Sequence, residues 1–359
     1  MKEKKQQKRL IVLTFFLLIF GLAMLFSSSI VISQEQTGKP YYYFFHQLLY
    51  GGGMGIIFFF IVSKINYKIY KKFSILILFF ALALCVLVFV PGLGMEHGGA
   101  QRWLDLKVIT FQPSEFLKLA LIIYLAAFFS KKEKTNTLLP FLAILAIAGG
   151  LMALQNDAGT LALIIAICII MYFLSGAKLI NILIIFICCA LAFVALIKFF
   201  PHRMERFTTF LNPSLDPQGI SYQINQALLA IGSGGLTGRG LGHSIQKYGY
   251  LPEPMGDSIF AIIAEQIGFI GCLIFIILIM LFVFYGFKIV KKTINDFGKL
   301  TACGITCWFG LQALINIAAI TGLIPLTGIP LPFVSYGSSA LIINLVAAGI
   351  LVNIAKQAN

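Results

Sequence analysis

Charge is scarce in this chain: 11% of its 359 residues are Asp, Glu, Lys or Arg, while 59% are hydrophobic. A soluble domain carries roughly a quarter charged residues, so a fold wetted on all sides is excluded. Acids are rarer than bases, 13 against 27, for a net charge of +14. Histidine is rarer still: His46, His97, His202 and His243 are scattered, without H-E-x-x-H or Cys/His ligand spacing, and no metal cage is read. The seven cysteines, Cys85, Cys168, Cys188, Cys189, Cys272, Cys303 and Cys307, all fall within apolar runs. That excludes an external disulfide framework and leaves them as small buried hydrophobes. Also absent are a fixed-period repeat, low-complexity sequence and a separate soluble domain, so residues 1–359 read as one transmembrane domain.

What is abundant is apolar sequence in long runs. A helix crossing the hydrocarbon needs about 20 mostly apolar residues. Ten runs qualify: Leu10 to Ile32, Tyr43 to Val62, Phe73 to Val90, Ser114 to Phe129, Leu138 to Leu154, Ala158 to Leu174, Leu179 to Phe200, Ser258 to Phe287, Leu300 to Thr321 and Ser338 to Ile354. The first is too long for the core of a cleavable signal, and no A-x-A-like site follows it, so it reads as a retained helix. The fold class is therefore all-α, a polytopic membrane protein of about ten transmembrane helices.

The bases explain its orientation. Lys2, Lys4, Lys5, Lys8 and Arg9 precede the first run; Lys64, Lys68, Lys71 and Lys72 follow the second; Lys131, Lys132 and Lys134 follow the fourth; Lys178, Lys288, Lys291, Lys292 and Lys356 complete the same side. By the positive-inside rule both termini lie in the cytoplasm. Attraction to an anionic inner leaflet then accounts for the basic composition without nucleic acid. Glu35, Glu96, Asp105, Asp157, Glu205, Asp216, Glu253 and Asp257 fall on the opposite side, which points to a polar working surface facing outward.

Three external stretches carry that surface. Pro91 to Pro113 holds Glu96, His97, Arg102, Trp103 and Asp105. Residues 201–257, between the seventh and eighth runs, form the longest loop, and loops of such length in a compact protein are commonly functional. Residues 322–339, GLIPLTGIPLPFVSYGSS, are too proline-rich for a helix and too apolar for a solvated loop. A re-entrant segment fits, since irregular backbone at membrane depth must be buried in protein or line a cavity.

Several groups could carry chemistry. The glycine-rich GSGGLTGRGLG, Gly232 to Gly242, lacks the lysine-serine pair and the preceding strand of a phosphate loop; a tight packed turn and an anion contact through backbone donors and Arg239 both stand. Glu115 and Lys118, at i and i+3, share a helix face as a structural ion pair or a site element. Asp157 and Asp257 each open a run, where capping is the simple role. Asp257 also shares a face with Glu265, with Glu253 close by; a carboxylate bordering hydrocarbon has its pKa raised toward the range of a general base. Arg102, Arg239 and Lys247 are among the few external bases, and an anionic lipid substrate would use such groups as phosphate clamps.

Four motifs, RWLDLKVITFQPSEFLKL, FLNPSLDPQGISYQINQALLAIGSGGLTGRGLG, YLPEPMGDSIFAIIAEQIGFIG and TGLIPLTGIPLPFVSYGSSAL, together resemble the SEDS family of shape, elongation, division and sporulation proteins, in order and over nearly the whole chain. The LNP-to-YQ-x-x-Q stretch is more similar to the division branch, FtsW, and its sporulation relative SpoVE than to the elongation branch, RodA. The resemblance implies a peptidoglycan glycosyltransferase that polymerises lipid II at the outer face of the bacterial cytoplasmic membrane, with undecaprenyl pyrophosphate leaving. It implies Asp257 as catalytic base, although Gly256 stands where the family has threonine and Ser258 where it has phenylalanine. It carries over Arg102, Trp103, Glu115, Lys118, Asp157, Lys247, Glu253 and Ser335 as site residues, with Asn156 replacing the proline of a Q-P-D-x-G-T motif. Arg102, Lys118, Arg239 or Lys247 would offset charge on the leaving pyrophosphate. Expected partners are lipid II, the nascent glycan strand, a class B penicillin-binding protein as transpeptidase, and other division proteins. A transpeptidase partner is needed because the chain has no set of S-x-x-K with K-T-G of its own. No cofactor is called for, with a divalent cation left open. A lipid II flippase and a non-catalytic division scaffold are the alternatives.

Overall fold

The computed structural model describes residues 2–97, 100–105, 107, 110–131, 137–199, 210 and 219–357. Residues 201–209 and 211–218, to which the sequence assigns His202, Arg203, Glu205, Arg206 and Asp216, lie outside the described residues, as do Lys132, Glu133 and Lys134.

A helix occupies each of the ten apolar runs. In chain order the helices are α1 (Lys2–Thr37), α2 (Tyr42–Lys64), the short α3 (Lys68–Lys72), α4 (Ser74–Leu87), α5 (Pro113–Phe129), α6 (Leu138–Leu154), α7 (Ala158–Leu174), α8 (Leu179–Phe199), α9 (Ile220–Gly234), α10 (Ile259–Lys292), α11 (Asp296–Ile320) and α12 (Ser338–Lys356). Five of these helices, α1, α2, α10, α11 and α12, are long and apolar enough to cross a membrane, with shorter apolar helices in α4, α6, α7 and α8. The chain is a multi-pass membrane protein, mostly helical.

The helices are layered. Along α12 nearly every residue is buried, from Ser338 to Ala355. A helix apolar on every face must be enclosed, and α12 is the axis of the bundle, packed on α2, α1 and α11. By contrast α10 presents Phe269, Ile274, Met280 and Phe284 outward, the surface expected of a lipid-facing span. The close approach of α2 to α12 depends on Gly51 and Gly55, whose Cα atoms face Ser338, Leu341 and Leu345. Around Gly51 α2 widens into a π-helical turn, Gln47–Gly53, and Gln47 accepts from Gly337 N and Ser338 Oγ. Such π-turns recur at functional sites.

One departure from an all-α chain is found. Within Pro91 to Pro113, β1 (Gly94–His97), β2 (Ala100–Asp105) and β3 (Thr110–Phe111) form an antiparallel sheet, in register Met95 to Trp103 and Leu104 to Phe111. Along β2 Ala100 and Leu104, on one face, are buried while Gln101 and Asp105, on the other, are exposed, as a half-covered sheet requires.

The proline-rich segment 322–337 has no regular secondary structure, yet Ile329, Leu331, Phe333 and Val334 are buried. Phe333 packs its ring on Phe309 of α11 and Phe282 of α10, with centroids 5.0 and 5.8 Å away. Its φ of 64°, unusual for a bulky residue, is held by that packing.

Candidate active site

Pro252 and Pro254 keep the chain ahead of α10 extended or turned, and the helix does not begin until Ile259. Asp257 therefore sits outside the helix. The capping role suggested for it is not found: Ser258 occupies the cap position, and its side chain makes no capping bond. Instead Asp257 Oδ1 accepts from Gln223 Nε2 of α9 at 3.2 Å, and the same amide nitrogen donates to Ser258 Oγ at 2.9 Å.

The backbone around Asp257 is pinned from two other elements. Asn316 Nδ2 of α11 donates to Asp257 O and to Ile329 O, each at 2.8 Å. From the proline-rich segment, Ser335 Oγ donates to Gly256 O at 2.7 Å and Tyr336 N to Met255 O at 2.8 Å. Ser335 Oγ in turn accepts from Leu331 N. The carboxylate is left half-buried at the junction of α9, α10, α11 and the segment 322–337.

Its electrostatics suit proton transfer. Burial pushes the Asp257 carboxyl up to about 6, the nearby Glu253 charge adds to this, and hydrogen bonds from Gln223, its own backbone and Ser258 act in the opposite direction. Glu253 is exposed and holds a φ of 48°, a conformation non-glycine residues seldom adopt and one that clusters at functional sites. A Cβ at Gly256 would lie 2.9 Å from Glu253 Oε2, so the glycine lets Glu253 fold over toward Asp257. Glu265 does not join them.

Glu115 and Lys118 form a fully buried pair. Lys118 Nζ donates to Glu115 Oε1 and to Gln312 Oε1, both at 2.8 Å, and lies 5.0 Å from the centre of the Trp308 ring. Trp308 Nε1 also donates to Gln312 Oε1, and Gln312 Nε2 donates to Pro330 O at 2.8 Å. Gln312 and Asn316 stand one turn apart on α11 and hold consecutive carbonyls of the proline-rich segment. The ion pair thus reaches Asp257 through α11 rather than by contact.

Asp157 caps α7, accepting from Thr160 N at 3.1 Å. Arg102 of β2 donates to the carbonyls of Gln155 and Asn156, with Nη1 3.9 Å from Asp157 Oδ1. Trp103 follows it, half-buried in the sheet. Asn156 has a φ of 56°, closed to the proline expected at that position, so this turn has its own backbone path. Gly159 of α7 abuts Thr327 O with no room for a side chain, and the adjacent Gly328 faces Asp257 Oδ2. The Arg102–Asp157 pair and Asp257 therefore flank one stretch, Thr327–Gly328.

The glycine-rich run clamps a broken helix. At Gly268, φ 67° and ψ −171° interrupt α10. In an unbroken helix Glu265 O would take Phe269 N, and Gln266 O would take Ile270 N. Here Arg239 N and Gly240 N donate to those two carbonyls, at 2.9 and 3.0 Å, while Phe269 N and Ile270 N donate to Gly235 O and Leu236 O. All four freed groups are re-bonded, as a break at membrane depth demands. Glu265 fixes the same loop, accepting from Ser244 Oγ, Ile245 N and Gln246 N, with Arg239 Nε 3.9 Å away. Lys247 Nζ donates to Gly242 O at 2.7 Å and Ser27 O at 3.4 Å; burial holds its ammonium below the ordinary lysine range, partly offset by Glu265. Of the two readings of this run, the packed turn describes its geometry, and Arg239 and Lys247 belong to the clamp.

Gln223, Gln312, Asn316 and Trp308 were not anticipated. Their signal was available: uncharged amides inside apolar helices need partners as ionisable groups do, and Gln312 and Asn316 are spaced i, i+4. Among the described residues no three or more His, Cys, Asp or Glu gather as a metal site.

Comparison with known proteins gives a consistent answer. Residues 8–359 match the family model for FtsW, RodA and SpoVE, described as cell cycle proteins. The stage V sporulation protein E of Bacillus subtilis is 40% identical over 300 residues, 82% of either chain. A probable peptidoglycan glycosyltransferase FtsW of Trichlorobacter lovleyi is 40% identical over 299 residues, 82% of this chain and 78% of its own. Among solved structures, a chain from a peptidoglycan synthase complex studied for its coordination of polymerization and crosslinking superposes with a TM-score of 0.79 at 22% identity, covering 97% of both chains.

Proposed function

The chain belongs to the FtsW, RodA and SpoVE family of cell cycle proteins, and from that premise we propose that it is a peptidoglycan glycosyltransferase that polymerises lipid II, with Asp257 as general base. The observation that carries the assignment of the base is the setting of Asp257: a half-buried carboxylate raised to about 6, its backbone fixed by Asn316, Ser335 and Tyr336. A base that ionises just below neutral pH is deprotonated in use yet still takes up a proton readily.

In the proposed reaction the C4 hydroxyl of an acceptor N-acetylglucosamine gives its proton to Asp257 as its oxygen bonds to the donor's anomeric carbon. The bond from that carbon to the pyrophosphate oxygen breaks, and undecaprenyl pyrophosphate leaves with the bonding electrons. Arg102, half-exposed beside Asp157 and across Thr327–Gly328 from Asp257, is suited to the departing negative charge, and so is the exposed end of Arg239. Lys118, Glu115, Ser335 and Lys247 act by positioning, since each is spent on contacts within the protein. Glu253, whose charge acts on Asp257, borders the acceptor side, and Trp103 follows Arg102 in β2 as a further substrate contact.

The lysine distribution supports ten crossings with both termini in the cytoplasm and Asp257 outside, where lipid II is consumed. A class B penicillin-binding protein is the proposed crosslinking partner, and cell division the proposed setting.

The test uses the purified complex of this chain with its transpeptidase and labelled lipid II. Glycan ladders from the wild type and none from Asp257→Asn support the reading. Equal ladders from both would overturn the base. Transbilayer movement of lipid II in liposomes with no ladder at all would make the protein a flippase, and normal division in an Asp257→Ala strain a scaffold.

A further inference from the structure

At the end of the bundle remote from Asp257 a cleft of about 550 Å³ opens between three linking segments. Its lining comprises Tyr67 and Lys68 from the link after α2, Ile294 and Asn295 from the link between α10 and α11, and Lys356 and Gln357 at the end of α12. The volume falls within the range of small-molecule sites, roughly 300–1,000 Å³.

The charge in this region is one-sided. The links spanning residues 64–73, 288–299 and 354–357 hold nine lysines and one acid, Asp296. Lysines that merely set orientation need no common cavity. Here Lys68 and Lys356, far apart in sequence, flank one cleft, and among the described residues neither has an ion pair. Amide groups complete it. Asn295 uses its Oδ1 to accept from Gly298 N, so its Nδ2 remains as a donor. Gln357 Nε2 is tied to Asn353 Oδ1, which orders the α12 terminus beside Lys356. Tyr67, almost wholly buried, closes the floor, with its backbone N–H bound to Asn353 Oδ1. Ile294, 81% exposed, stands apolar at the rim.

Two lysines and an amide-bearing residue lining one opening, with an apolar edge, suit a phosphate that carries hydrocarbon. Basic pockets between transmembrane helices are recognised sites for acidic lipid headgroups. We propose that this cleft binds the phosphate headgroup of an anionic phospholipid, with Lys68 and Lys356 as the charge contacts and Ile294 toward the glycerol and acyl region. The lipid would bridge α2, α10, α11 and α12 at their shared end. Nothing in this site depends on the glycosyltransferase reading.

The experiment uses the full chain in mild detergent, assayed by native mass spectrometry with dioleoyl phosphatidylglycerol, dioleoyl phosphatidylcholine and inorganic phosphate as separate probes. Retention of phosphatidylglycerol over phosphatidylcholine is expected, falling about tenfold or more in the Lys68→Gln/Lys356→Gln protein. The Lys71→Gln/Lys72→Gln protein, with the same loss of charge outside the cleft, should keep its binding, and Lys68→Arg/Lys356→Arg should restore it. A photoactivatable phosphatidylglycerol should label the Tyr67–Lys68 or Lys356–Gln357 peptide of the wild type, a readout that needs no variant to fold. Equal retention of phosphatidylcholine, equal loss in both glutamine pairs, or labelling elsewhere overturns the site. Binding of inorganic phosphate as tight as that of the lipid overturns the lipid as its source.

Discussion

Asn316 Nδ2 bridges two carbonyls, Asp257 O at the mouth of α10 and Ile329 O in the proline-rich segment, each at 2.8 Å. One amide thereby sets the spacing between the proposed base and the segment that faces it. Leucine at this position has a similar volume and no donor. Asn316→Leu is expected to lower polymerisation of lipid II about a hundredfold, since small displacements of a reacting group have effects of that order. Removing the shared donor should also destabilise the protein by about 1–3 kcal/mol. Glycan synthesis rates and thermal unfolding in detergent check both, and an unchanged rate would remove Asn316 from the positioning chain.

The raised carboxyl of Asp257 has consequences for pH on two levels. For activity, the base must be ionised, so the rate should fall as pH drops through about 6. For stability the sign is opposite. A carboxyl whose folded pKa exceeds its unfolded value stabilises fully below the unfolded value, and that contribution is lost as pH rises through about 6. Asp257→Asn should therefore unfold at a higher temperature than wild type above pH 6 and at nearly the same temperature near pH 4, while making no glycan. A melting curve series over pH reads this directly.

Gly256 offers a separate handle on the same group. Threonine there would bring its Cβ to 2.9 Å from Glu253 Oε2, and the flexible Glu253 side chain would swing away. Because the Glu253 charge raises the Asp257 pKa, moving it off should lower that pKa. The acid limb of the pH–rate profile in Gly256→Thr should shift to lower pH with little loss at neutral pH. A limb that shifts upward or stays put would show that Glu253 does not act on Asp257.

The buried pair in α5 makes a different kind of prediction. Lys118→Met leaves Glu115 as an unpaired charge with 0% exposure, and breaking a buried pair from one side costs about 3–5 kcal/mol. Changing both residues, Glu115→Gln with Lys118→Met, should recover much of the stability but not the hold of Gln312 on Pro330. The double variant is expected to fold and to polymerise poorly; a folded, fully active double variant would make the pair purely structural.

These sites differ in how far the sequence announces them. The apolar runs declare themselves because length and composition decide where a long apolar helix can form, and five of the helices that fill them are long and apolar enough to cross lipid. Asp257 and the QPSEFLK stretch stand out through their motifs. The small sheet does not: strands of two to six residues lie below the reach of alternation, and their pairing is tertiary. Nor does the route from Lys118 to Asp257, because a search for charge inside the membrane passes over Gln312 and Asn316. The break at Gly268 is hidden for another reason. IAEQIGFIG reads as continuous helix, and only the Gly235–Gly240 loop, about thirty residues earlier, accounts for the lost bonds.

That break gives the sharpest conformational test. With φ 67° and ψ −171°, Gly268 occupies a region nearly reserved for glycine, where another residue costs on the order of 1–3 kcal/mol. A Cβ would also run into Gly238 N, the backbone of the clamp. Gly268→Ala must either carry that strain or straighten α10 by restoring the bonds from Phe269 and Ile270 to Glu265 and Gln266. Straightening would release Arg239 N and Gly240 N and displace the loop that Glu265 and Lys247 secure. Amide hydrogen exchange should thus rise across residues 235–247, while the start of α10 near Asp257 changes less, its contacts with Asn316, Ser335 and Tyr336 lying on the other side of the break. Unaltered protection over 235–247 would mean that the clamp does not depend on the break.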